Sequence, residues 1–172
     1  MYELGYYKSL EDDSGRGDKD EGTSNYIYLS SYGNPVYCGG AIVNPTYLFC
    51  TAGPDVNIDE LRRFGEYIVR INDEYALLQE FNKSQPINSR MILVCKAILE
   101  KVEYSRGEVL DVDPESSGAI KLDYLQKDSR YSWQCEYRYV VQARMINKDS
   151  NNNKEEYLEY DFGRRLDYLE II

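Results

Sequence analysis

Ser132-Trp133-Gln134-Cys135-Glu136-Tyr137-Arg138-Tyr139 alternates aromatic or small groups with polar and charged ones at a spacing of two. That is the period of a β-strand, whose successive side chains point to opposite faces. Read so, Tyr131, Trp133, Cys135, Tyr137 and Tyr139 share one face, and Gln134, Glu136 and Arg138 stand in a row on the other, about 7 Å apart. The strand extends to about Arg144. Its polar face has two readings. It either meets water, as one side of an antiparallel sheet commonly does, or it lines a functional cleft.

Working outward, the C-terminal side breaks at the polar run Asn147 to Lys154. Tyr157 to Phe162 then alternates again and is expected to pair back as a strand, with Leu166 to Ile172 closing the domain. On the N-terminal side, Leu4 to Leu10 reads as extended, and Glu11 to Gly22, with three glycines and no apolar residue, reads as a surface loop. Tyr26 to Ser31 alternates as a strand, and Asn34-Pro35 and Asn44-Pro45 mark turns. Thr46 to Thr51 is a compact apolar strand expected at the centre of the sheet. Asp55 or Asn57 caps a helix running to about Phe64, with Asp59 and Glu60 at its positive end. Glu66 to Ile71 alternates as a strand. Asn72-Asp73 caps a second helix, Glu74 to Asn82, with Tyr75, Leu78 and Phe81 on one face. Met91 to Tyr104 favours strand over helix, Gly107 to Gly118 is a loop, and Ala119 to Leu125 is a short helix or strand. The sum is an α+β fold: one mixed, largely antiparallel sheet with two or three short helices.

The chain has 172 residues, which predicts a single domain able to bury about two-thirds of its unfolded surface. No stretch approaches the roughly 18 apolar residues that span a bilayer, and the first residues lack a basic segment followed by an apolar run. A cytoplasmic location is therefore expected. Cys38, Cys50, Cys95 and Cys135 are widely spaced and histidine is absent, which argues against a structural zinc site and a disulfide scaffold. The four thiols are expected to be reduced and buried. The absence of histidine also excludes serine–histidine and cysteine–histidine nucleophile systems.

A net charge of −10 opposes direct binding of nucleic acid, whose phosphates must be neutralised. An acidic surface can instead meet a basic protein surface, or it can serve solubility alone. Eighteen tyrosines suit pleated strands first and a binding face second. The acidic residues Asp12, Asp13, Asp18, Asp20 and Glu21 lack the spacing of a calcium loop and read as a solvated turn. Gly15-Arg16-Gly17 lacks the lysine and hydroxyl residue of a phosphate loop.

Five short motifs occur in order: Asp18, Glu21 and Gly22 as D-x-x-E-G; Cys50-Thr51; Ile71-Asn72-Asp73; Lys101 to Tyr104 as K-V-E-Y; and Gln134, Glu136 and Arg138 on an aromatic strand. This order resembles a family of bacterial and phage proteins often found beside abortive-infection and other defence genes, over residues 4 to 142. The resemblance implies a role in phage–host conflict, with a protein partner to be inhibited or sensed. Gln134-Cys135-Glu136 is also similar to the Q-x-E triplet of one branch of ADP-ribosyltransferases. That likeness implies NAD as cofactor, Glu136 as the carboxylate against the ribose hydroxyls and Gln134 orienting the acceptor. It further implies an arginine holding NAD, for which Arg16 and Arg70 are candidates. Arg138 is either a third candidate or the structural partner of Glu136.

Overall fold

The computed structural model describes residues 1–3, 6, 24–29, 35–40, 46–87, 91–93, 96–104, 123–145 and 157–172. The Glu11 to Gly22 and Gly107 to Gly118 loops, most of Leu4 to Leu10, and Arg16 lie outside these residues. The fold is α+β. Its strands are β1 (Tyr2–Glu3), β2 (Ser24–Leu29), β3 (Pro35–Gly40), β4 (Thr46–Ala52), β5 (Val69–Ile71), β6 (Met91–Leu93), β7 (Ile98–Lys101), β8 (Glu136–Met145) and β9 (Leu169–Ile171). The helices are α1 (Ile58–Leu61) and α2 (Glu74–Lys83), with 3-10 turns at Asp123–Leu125 and Ser129–Gln134.

β8 is the axis of the main sheet. β4 pairs along one edge of it, from Thr46 opposite Gln142 to Ala52 opposite Glu136. β6 and β7 share the other edge in succession, Met91 opposite Met145 and Lys101 opposite Tyr137. β1 adds outside β4, and all these pairings are antiparallel. The ribbons β2–β3 and β5–β9 stand apart as two-stranded sheets.

Alternation along β8 sends its two faces into separate cores. Tyr139, Val141 and Ala143 join Tyr47 of β4 and Leu77 and Phe81 of α2. Val140 on the opposite face meets Leu48 and Tyr124. Aromatic edges fix the first core: the Phe81 ring lies 5.5 Å from Tyr139 and 5.1 Å from Tyr160, edge-on to the latter. α2 starts where Asp73 accepts from the Ala76 amide at 2.8 Å. Its penultimate residue, Asn82, plays the part of a missing strand neighbour. The side-chain amide accepts from the Ala97 N–H at 2.8 Å and donates to the Ala97 carbonyl at 3.2 Å.

Several expectations are corrected. The Tyr131 to Arg144 strand begins only at Glu136. Ser129–Gln134 winds as a 3-10 turn capped by Asp128, and Cys135 has a left-handed backbone, φ 46°. Tyr157 to Phe162 does not pair with β8, because both edges of β8 are taken; it meets the first residues instead. Leu158 and Met1 exchange two hydrogen bonds, at 2.7 and 2.8 Å, beside the Tyr2–Tyr157 bridge. α1 gives way after Leu61 to a tighter turn, with Arg63 and Phe64 donating three residues back. Its cap is Asn57, which accepts from the Asp59 amide. Tyr75 is 69 % exposed, because it sits roughly 200° around α2 from the buried Leu77. Met91 to Tyr104 holds two strands rather than one. Cys50 and Cys135 are free thiols but half-buried rather than buried.

Candidate functional site

On the polar face of β8, and in the turn before it, Gln134, Glu136 and Arg138 are buried rather than open to water. The turn that precedes β8 folds back over it. Asp128 caps the turn by accepting from the Arg130 amide at 2.9 Å, and Cys135 ends it by donating to the Ser132 carbonyl at 3.2 Å. A left-handed conformation is uncommon outside glycine. Here it is held on both sides: the Cys135 carbonyl accepts from the Gly53 amide at 2.7 Å, and the Glu136 amide donates to the Tyr104 hydroxyl at 2.7 Å. The reversal carries Gln134 over the start of β8.

Gln134, Glu136 and Arg138 are brought together, and Lys127 is the residue that joins them. Lys127 Nζ donates to Gln134 Oε1 at 2.7 Å and to Glu136 Oε2 at 2.9 Å, with the Tyr131 ring 5.0 Å away. Arg138 Nε donates to Glu136 Oε1 at 2.7 Å, and its Nη1 donates to the Tyr124 carbonyl. All four side chains are buried, Arg138 at 1 % exposure. Burial by itself pushes the Glu136 carboxyl up, but the Arg138 and Lys127 charges outweigh it and hold the group at about 2. The carboxylate is thus ionised with both oxygens engaged. Tyr104, which receives the Glu136 amide, is pushed up to about 12, chiefly by burial.

Sequence reasoning missed Lys127. It lies nine residues before Glu136 across an irregular turn, so no strand or helix period pairs the two. Asp128 followed by a polar, non-alternating Ser129-Arg130 was the one available signal that the strand had not yet begun.

Arg70 is on β5, where it faces Glu170 of β9 at 3.6 Å, both half exposed. It belongs to a separate place in the fold, an open cleft of about 1250 Å³ over the other face of the sheet. Phe49, Thr51, Tyr137 and Tyr139 form its floor, while Ile58 and Leu61 of α1, Val69 of β5 and Tyr75 of α2 form its lips. Three of these lip residues are exposed, Ile58 to 44 %, Val69 to 52 % and Tyr75 to 69 %, and Leu61 is half-buried. α1 is anchored there by Phe64, stacked on Trp133 at 5.8 Å, and by Arg63 over the same indole at 5.7 Å. Among the described residues, no group of three or more His, Cys, Asp or Glu side chains could hold a metal ion, and no helix is long and apolar enough to cross a membrane. Comparison with protein-family models, curated proteins and solved structures finds no match to this chain.

Proposed function

We propose that the protein works by binding another protein, to inhibit or sense it, within the phage–host conflict that the motif order implies. The observation that carries this reading is the engagement of both Glu136 oxygens by buried Arg138 and Lys127. A carboxylate that is to stabilise a developing oxocarbenium ion needs a face open to the substrate. Here Gln134 and Glu136 are tied to Lys127, and Glu136 to Arg138, in the interior, which favours the binding reading over the transferase one, and Arg70 sits with the cleft on the opposite face. That cleft has exposed apolar lips, and exposed contiguous apolar surface is characteristic of interaction sites.

Two measurements test the proposal together. The first is calorimetry of NAD with the wild type and Glu136→Ala. The second is capture of partners from bacterial lysate, followed by reconstitution with the purified candidate. No NAD heat and a stoichiometric reconstituted complex support binding. Micromolar NAD affinity lost in Glu136→Ala would overturn it in favour of a transferase. The setting is tested by assaying phage growth on cells expressing the protein; unchanged plating with and without it would remove the conflict role.

A further inference from the structure

We propose that residues 54–67, which carry α1, form a strap that opens and closes over the cleft, latched by Phe64 on Trp133. This gate goes beyond the binding reading and does not depend on it.

Both ends of the strap are fixed. The Gly53 amide donates to the Cys135 carbonyl at 2.7 Å, and a methyl at Gly53 would meet the Tyr137 ring, so the chain leaves β4 in close contact with β8. At the far end, just before β5, the Ile68 carbonyl accepts from the Ile172 amide at 2.9 Å.

Between those points the chain is held by little besides itself. None of residues 54–67 is buried, and none of their side chains joins either core. Among the described residues, their hydrogen bonds and ion pairs run within the strap or back to Gly53. Val56 donates to the Gly53 carbonyl, Glu60 to Asn57, Arg63 to Glu60 and Phe64 to Leu61, and the Arg63 and Glu60 side chains pair at 2.9 Å. Such a segment can swing without breaking its own bonds. Few buried apolar contacts also place it at the low end of local stability.

The latch is aromatic. The Phe64 ring lies within 4° of parallel to the Trp133 indole at 5.8 Å, and the Arg63 guanidinium stands 5.7 Å from the same indole. Trp133 belongs to the turn whose next residue, Gln134, is bonded to buried Lys127. The catch is therefore mounted on the firm part of the fold and the strap swings against it. Pro54, Val56, Ile58 and Leu61 line the cleft beside Thr51 and Tyr137. Release of the latch widens the cleft and uncovers that part of its floor.

The test is nuclear magnetic resonance of the full chain with a soluble paramagnetic agent, which reads solvent access at the Thr51 methyl and the Tyr137 ring. Phe64→Ala removes the stacked ring, and Arg63→Ala removes only the guanidinium. Neither Phe64 nor Arg63 lines the cleft, so a change at Thr51 and Tyr137 reports movement of the strap rather than truncation of a neighbour. Phe64→Ala should raise the open fraction about tenfold, and Arg63→Ala should raise it less. Relaxation at Thr51 and Tyr137 should rise in that order, while the buried Val140 and Val141 methyls stay as in wild type. Unchanged relaxation at Thr51 and Tyr137 in both variants would overturn the gate. So would an equal rise at Val140 and Val141, which means general loosening. Loss of the folded circular dichroism signal in Phe64→Ala would overturn it as well, because the strap would then be part of what holds the sheet together.

Discussion

Glu136→Gln removes one charge from the buried cluster and leaves the shape nearly unchanged. In the folded chain the carboxyl titrates at about 2 instead of 4.5. At about 1.4 kcal/mol per pH unit, that difference corresponds to about 3 kcal/mol of folding free energy at neutral pH. The amide resembles the protonated acid, so the variant should lose about that much. The figure agrees with the roughly 3–5 kcal/mol typical of removing one partner from a buried ion pair, since Lys127 and Arg138 keep their charges in the interior. For a chain of this length the melting temperature should fall by roughly 6–12 °C. A carboxyl whose folded pKa is depressed stabilises the protein above its unfolded value and ceases to do so as pH falls. Wild type should therefore lose this contribution between about pH 4.5 and 2, while Glu136→Gln, already lacking it, should show a flatter profile there. Urea unfolding at pH 7 and pH 3, followed by the single Trp133, measures both. A fall below about 2 °C, or parallel acid profiles, would refute a structural role. A stabilised variant would be what an active-site carboxylate predicts, because catalytic groups are commonly held at a cost in stability.

Asn82→Ala should cost about 2 kcal/mol in urea unfolding, since it strips partners from both the N–H and the carbonyl of Ala97. Gly53→Ala should destabilise by roughly 1–3 kcal/mol, because the new methyl would lie 2.6 Å from the Tyr137 ring and 3.0 Å from the Cys135 carbonyl. Two tyrosines should respond oppositely to phenylalanine in thermal melts. Tyr160→Phe should be neutral or stabilising by about 1 kcal/mol, as its buried hydroxyl makes no hydrogen bond among the described residues. Tyr139→Phe should destabilise by about 1 kcal/mol, losing the bond to the Glu74 carbonyl. Burial first, with nearby carboxylates for Tyr139, pushes Tyr104, Tyr139 and Tyr160 up to about 12. Their neutral forms stabilise the fold below about pH 10, so stability should decline between pH 10 and 12; spectrophotometric titration should show late-ionising phenols that normalise in urea.

The fold class was readable because long-range pairing and local alternation agree over β4 and β8. Tyr47, Tyr139 and Val141 are buried on the strands where period two puts apolar groups. Both helix starts were legible from their caps, Asn57 and Asp73. What failed was the choice between equivalent local patterns. Trp133 and Tyr137 fit one strand face equally well on paper, but the left-handed turn at Cys135 falls between them. Tyr157 to Phe162 alternates like a strand, yet its partner depends on which edges remain open, a property of the assembled sheet. The candidate site was half legible. Gln134, Glu136 and Arg138 do converge, but their meaning depended on Lys127, whose arrival is set by the tertiary path of residues 123–134.

The bonds joining Met1 to Leu158 close a loop of more than 150 residues. During synthesis, β1 can settle against β4, but its pairing across to Tyr157 and Leu158 must wait until that segment has emerged. β4 likewise waits about 85 residues for β8, its main partner. Until then the apolar stretch Tyr47 to Phe49 lacks its ladder, so folding of the full chain is expected to be limited by these late, non-local pairings.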